Sequence, residues 1–267
     1  MAVITISRGS YSHGKAIAEK IAQELGYECI ARDILIEASR EFNIPEIKLI
    51  HAVQDAPSIL DHILYGKERY IAFIKFALLK HLQKDNVVYH GFAGHFFVKN
   101  ISHVLKVRII ADMEDRVKLV MERDRIARKE AINFICKLDT ARSKWSQHLY
   151  GIDTSNPSLY DLVLHIHKIT TDGAVDLLIN TIKSKHFQKT TESQQAMDDL
   201  VLAAEVSAIL IDVKPDIEVS AKNGIVDVKT NVPLLREEEL IGEMKKLGST
   251  INGVKALRIH VLPSKSL

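Results

Sequence analysis

Gly9–Ala16, "GSYSHGKA", decides the reading of this chain. It follows the apolar run "VITIS" and matches G-x-x-x-x-G-K-[ST] at every position but the last, where Ala16 stands for Ser or Thr. Two glycines at this spacing let the backbone curl until several N–H groups point inward, and the positive end of the following helix adds to that field. In such a loop the lysine reaches the β- and γ-phosphates of a nucleotide, and the hydroxyl at the next position holds Mg²⁺. Gly9, Gly14 and Lys15 therefore predict a phosphate-binding loop, with Ser10, Tyr11, Ser12 and His13 as its body. Ala16 cannot ligate a metal. Ser10 and Ser12 are nearby hydroxyls, neither at the usual place on the first helical turn.

The flanks agree with the loop. "AVITIS" (2–7) is a β-branched run that reads as a buried parallel strand, and "KAIAEKIAQEL" (15–25) puts Ile17, Ala18, Ile21, Ala22 and Leu25 on one helical face before Gly26. A short strand to about Ile30 and a helix after Asp33 follow. Strand, glycine loop, helix and strand open an α/β fold with a parallel sheet. Further on, a helix is expected over 58–84, strands over 86–92, 104–112 and 160–168, a helical stretch rich in Arg and Lys over 112–150, and a closing helix over 172–186. About five strands with intervening helices result.

Composition bounds the function. The 267 residues are 46% hydrophobic and 26% charged, with a net charge of +2. This is ordinary globular composition, with no whole-chain case for nucleic acid or anionic membrane. Residues 191–267 carry nine basic and twelve acidic side chains, so residues 1–190 stand at +5, a mildly basic balance suited to a phosphate-rich ligand. Cys29 and Cys136 stand far apart in no metal-like spacing, which favours a reducing compartment. The N-terminus lacks the pattern of a secretory leader, and no apolar run approaches the ~20 residues of a membrane span. Cytoplasmic residence is expected.

At 184–197, "SKHFQKTTESQQAM", periodicity disappears and a linker is expected, assigned to 187–198. Beyond it a helix, a hairpin turning at Asn223-Gly224, a helix and a strand form a small αββαβ unit. The division is 1–186, linker, and 199–267.

"ITISRGSYSHGKAIAEKIAQELGYECIARDIL" resembles the opening of the cytidylate kinase-like family of nucleoside monophosphate kinases. The resemblance continues through "VVYHGFAG", "RIIADMEDRVKLVMER", Asp139 and Arg142 in "LDTAR", and "YDLVLHI", spanning about residues 3–182. It implies a P-loop kinase core with a five-stranded parallel sheet, ATP on Gly9–Lys15, and a monophosphate near Arg32 and Asp33. It also implies an arginine-rich lid over about 123–142. There Arg123, Arg125, Arg128 and Arg142 are candidate phosphate clamps, and Asp139 a candidate substrate contact. Guanidinium groups suit this role because they bind phosphate oxygens in pairs and offset transferring charge. Mg²⁺ would then be held mainly by phosphates and water.

Two positions depart from the family pattern: Ala16, and Phe92 where an arginine is common. They leave open a nucleotide-binding sensor without turnover, or a kinase for another small molecule. Residues 199–262 resemble a BON domain in "IEVSAKNGIVDVKTNV" and "INGVKALRIHV", which implies ligand sensing, partner contact or homo-oligomer formation. Of the twelve histidines, His165 and His167 share a strand face by spacing. No third ligand is visible beside them in sequence, and no metal ligands are assigned.

Overall fold

The computed structural model describes residues 2–31, 33–42, 66–91, 94–231 and 236–262. Strand β1 (Val3–Arg8) is buried from Val3 to Ser7, so its continuous β-branched run has both faces covered. Helix α1 (Gly14–Leu25) buries Ile17, Ala18, Ile21 and Ala22 and ends at left-handed Gly26. Strand β2 (Glu28–Ile30) and helix α2 (Asp33–Glu41) follow. Helix α3 is described over Gly66–Leu82; the first part of the helix expected over 58–84 lies outside the described residues. Strand β3 (Val87–His90), the short helix α4 (Gly94–Phe97) and strand β4 (Val104–Ala111) come next.

The basic stretch expected as one helix over 112–150 is two: α5 (Met113–Asp124) and α6 (Arg128–Tyr150). Neither Gly nor Pro marks the break. Arg125 closes α5 in the left-handed region at φ 55°, and the Glu130 carboxylate accepts from the Ala127 N–H at 3.3 Å to start α6. The turn lets the two helices bury Val117, Val120, Ala131 and Ile135 against each other, a gain a continuous helix would forfeit. Strand β5 (Leu162–Ile166) and helix α7 (Thr171–Ile182) complete the larger unit.

Its five strands are parallel in the order β2-β3-β1-β4-β5. Successive residues of β1 face opposite ways. Ile4 and Ile6 pack with α1 and α7, and Val3 packs with α2 and α3.

The segment expected as a linker is helical from Thr191, because α8 runs Thr191–Leu210. Thr190 caps it by accepting from the Ser193 N–H at 3.1 Å. A small sheet follows: β6 (Glu218–Lys222) pairs antiparallel with β7 (Ile225–Thr230) through Asn223-Gly224, both at positive φ. Helix α9 (Glu237–Gly248) leads to β8 (Ala256–Val261), which pairs parallel with β7. The αββαβ order is as read from the sequence.

One face of α8 enters the larger core: Met197, Val201, Ala204 and Ala208 join Phe73, Phe76 and Ala77 of α3. The other face supplies Val206 and Leu210 to the small core of Val226, Val228 and Met244. Buried on opposite sides from Met197 onward, α8 lacks the one-sided pattern of a surface helix. Among the described residues, no helix is long and apolar enough to cross a membrane.

Candidate functional site

The sheet order reverses at β1, whose neighbours β3 and β4 lead away on opposite sides. In open α/β sheets a crevice forms at such a point, beyond the carboxyl ends of the strands. The glycine loop sits there. Its Gly9 N–H donates to the Ile109 carbonyl at 3.2 Å. The buried Ser12 hydroxyl lies 3.0 Å from both the Gly9 and the Ile109 carbonyls, pinning the loop to the end of β4. Tyr11 and His13 occupy the left-handed region at φ 60° and 63°. Gly14 is needed for close approach, since a Cβ there would lie 2.8 Å from the Arg8 side chain.

The loop is tied to α6 and α5. The Ser10 N–H donates to the Asp139 carboxylate at 3.1 Å. The Arg116 guanidinium clamps this pair, donating to the Ser10 carbonyl at 2.6 Å and to the second Asp139 oxygen at 2.5 Å. The Ser10 hydroxyl is buried and has no hydrogen-bond partner. In this arrangement Asp139 occupies the Ser10 amide, the place an anionic oxygen takes at such a loop. Lys15 is exposed and only loosely paired with Glu19 at 3.5 Å. An exposed pair of this kind is worth about 0–1 kcal/mol, so Lys15 can turn to a phosphate at little cost. Ala16, on the first turn of α1, has no side-chain oxygen to offer a metal ion.

Beside the loop lies a cavity of about 1010 Å³. Ser7 and Arg8 of β1, Gly91 after β3 and Arg108 of β4 form its floor, and Asp139, Arg142, Ser143, Lys144 and Gln147 of α6 form its wall. Arg8, Arg108, Arg142 and Lys144 outnumber Asp139 and Asp153, so the cavity favours an anionic guest. Arg108 is held over the Tyr160 ring at 5.7 Å and hydrogen-bonded to the Tyr160 hydroxyl at 3.4 Å. Hydrogen bonds from the Ser155 hydroxyl and N–H, reinforced by the Arg108 charge, hold the Asp153 carboxyl below the usual range against the effect of burial. Burial and then the charges of Arg108 and Lys106 press His95, also in the lining, down to about 3, so the imidazole is neutral.

The expected site residues divide. Gly9 to Lys15 form the loop, and Asp139 and Arg142 reach the adjoining cavity. Arg123 stands at the other side of the loop, its guanidinium 4.6 Å from the Tyr11 ring centre and paired with Asp124. Arg128 pairs with Glu114 at 2.5 Å, away from the cavity lining. Arg125 closes α5. Asp33 begins α2, just past the carboxyl end of β2. Arg32 and Phe92 lie outside the described residues, as does the Asp33 side chain.

Arg8, Arg108 and Arg116 escaped the sequence reading, and His95 reads there only as a histidine flanking the "GFAG" turn. A signal existed for Arg108: Lys106 and Arg108, two apart in the apolar run "VLKVRIIA", mark one face of β4 as charged. Arg116 carried no signal, because its partners Ser10 and Asp139 lie 106 and 23 residues away.

Relatives agree with this architecture. The cytidylate kinase of Sulfolobus acidocaldarius is 24% identical over 184 residues, covering 68% of this chain and 95% of that protein. That of Staphylothermus marinus is 27% identical over 182 residues, covering 67% and 94%. A crystal structure of an uncharacterized protein from Eubacterium ventriosum shares the fold with a TM-score of 0.54 at 21% identity, covering 69% of this chain and all of that one. The sequence profile of the cytidylate kinase-like family matches residues 3–168. That match takes in β1 through β5 and more than half of the chain, which therefore belongs to the cytidylate kinase-like family.

Proposed function

We propose that this protein transfers the γ-phosphoryl group of ATP to a nucleoside monophosphate, with CMP or dCMP as acceptor. The observation that carries this reading is the juxtaposition of a phosphate loop with a cation-lined cavity, joined by Asp139, which touches both. ATP phosphates rest on the loop between Tyr11 and Lys15, and Lys15 follows them. The acceptor phosphate lies among Arg8, Arg108 and Arg142, whose charges bring two anions together and stabilise the transferring group. Asp139 and Arg116 hold the loop for the incoming phosphates. Mg²⁺, when bound, offsets charge on the phosphate oxygens. Arg123 over Tyr11 closes the far side of the loop, and α6 walls the cavity from water, a competing acceptor. We assign the protein to the cytoplasm, in keeping with two cysteines that form no disulfide and a nucleotide substrate. The small C-terminal unit, BON-like in its hairpin and last strand, serves as a contact surface for a ligand or a second protein.

The test is ADP formation by the purified chain with ATP and Mg²⁺ against CMP, dCMP, UMP and AMP. Turnover is expected with a cytidine acceptor and is expected to fall at least ~100-fold in Lys15→Ala, which loses a charge made most use of in the transition state. ATP binding without acceptor-dependent turnover would overturn the reading in favour of a nucleotide sensor.

A further inference from the structure

Asp112 follows β4 directly and occupies the N-cap position of α5, a place where an aspartate ordinarily accepts from the first turn's N–H groups. It makes no such bond. Its carboxylate turns instead to two imidazoles of the neighbouring strand. The register accounts for this: Ile110 pairs with His165 and Ala111 with Ile166, so Asp112 and His167 are the next residues along each chain. His165 Nε2 lies 3.0 Å from Asp112 Oδ1, while His167 Nδ1 lies 3.4 Å from Asp112 Oδ2 and 3.6 Å from Asp115 Oδ2. One ligand atom each from Asp112, Asp115 and His167 fit within 4.8 Å of one another.

We propose that Asp112, Asp115 and His167 form a binding site for a divalent transition-metal ion, with His165 positioning Asp112. Nitrogen and oxygen ligands at about 2.0–2.1 Å from a tetrahedral ion stand roughly 3.4 Å apart, the separation His167 keeps from both carboxylates. The 3.0 Å contact to His165 uses the other oxygen of Asp112 and is the outer hydrogen bond that orients a ligating carboxylate. Two carboxylates with one imidazole leave a fourth position for water. The imidazole selects zinc, cobalt or nickel over magnesium, which prefers all-oxygen octahedral sites. The ligands are about half exposed, so the ion exchanges with solvent. A cavity of about 380 Å³ lined by His13, Asp115 and His167 sets the site against the loop's outer side. The proposal does not depend on the phosphoryl transfer read above.

The metal-free full chain, titrated with Zn²⁺ by calorimetry and with Co²⁺ by visible absorption in excess Mg²⁺, is expected to bind one equivalent, with Co²⁺ giving the intense bands of a four-coordinate ion. His167→Ala and the near-isosteric Asp112→Asn should each weaken binding more than ~10-fold, and His165→Ala about 10-fold. His260→Ala, which disrupts another histidine–aspartate pair at 2.7 Å, should leave binding unchanged. Circular dichroism confirms that each variant is folded; Asp112→Asn decides the matter if His167→Ala is not. Absence of a single saturating equivalent, or equal affinity in the folded ligand variants and the parent, would overturn the proposal.

Discussion

Arg116 is nearly buried and touches two parts of the site at once, the Ser10 carbonyl and the Asp139 carboxylate. Arg116→Met keeps much of its volume and removes both bonds. Leaving the Ser10 carbonyl and the carboxylate without this donor is expected to cost about 1–3 kcal/mol, read as a lower Tm, and to raise the KM for ATP more than that for the acceptor. Arg116→Lys should recover only part of this, because an ammonium cannot span both acceptors as a guanidinium does. His95 sets a second residue-scale effect. Its pKa in the fold, about 3, lies below its ordinary 6.5, so between those values the unfolded chain takes up a proton that the folded one refuses. The stability from keeping this imidazole neutral is complete above about pH 6.5 and is lost as pH falls toward 3. The contribution to the slope is up to about 1.4 kcal/mol per pH unit. Denaturant unfolding across that range should show a shallower acid decline in His95→Gln; an unchanged slope would assign the decline to other groups, among them His103, whose pKa burial also lowers.

Among the elements, α8 carries the most structural information. Met197 is fully buried against α3, and Met197→Ala is expected to destabilise by about 2–5 kcal/mol. Since Val206 and Leu210 of the same helix belong to the small core, calorimetry should find one cooperative transition moved downward, with the two units melting together. Separate transitions, only one of them shifted, would contradict the shared helix. The tie is polar as well: Gln83 donates to Asp198 at 2.8 Å, the His103 ring lies 2.9 Å from the Ser193 hydroxyl, and the Asn223 N–H donates to Asp199 at 2.8 Å.

At the scale of the whole molecule, the family match ends at 168 while the larger unit's core continues into α8. A chain ending at Gln188 would uncover Phe73, Phe76 and Ala77, apolar surface that monomeric domains rarely expose. Its soluble yield should collapse and its Tm fall well below that of the full chain. A chain ending at Lys214 keeps α8 and should recover the larger unit in folded form, at reduced yield because the small-core face of α8 is then open. Equal behaviour of the two truncations would mean that α8 contributes nothing to the larger core.

The order of the strands, most of the helices, the loop at Gly9–Lys15, the hairpin at Asn223-Gly224 and the family were legible in the sequence. The elements, the loop and the hairpin rest on local signals: a 3.6- or two-residue apolar period, and glycines where the backbone must turn or approach closely; the family rests on the resemblance of whole motifs such as "ITISRGSYSHGKAIAEKIAQELG". The break at Arg125 was illegible because it answers to packing between Val120 and Ala131, not to a breaker residue. The extent of α8 was illegible for a related reason: a helix buried on two sides has no polar stripe, and its polar first turn reads as linker. The grouping of Ser10, Arg116 and Asp139, of Arg8 with Arg108 and Arg142, and of Asp112 with His165 and His167 belongs to the tertiary structure alone. Parallel strands bring their carboxyl ends together from distant parts of the chain, and no local period records which side chains meet there.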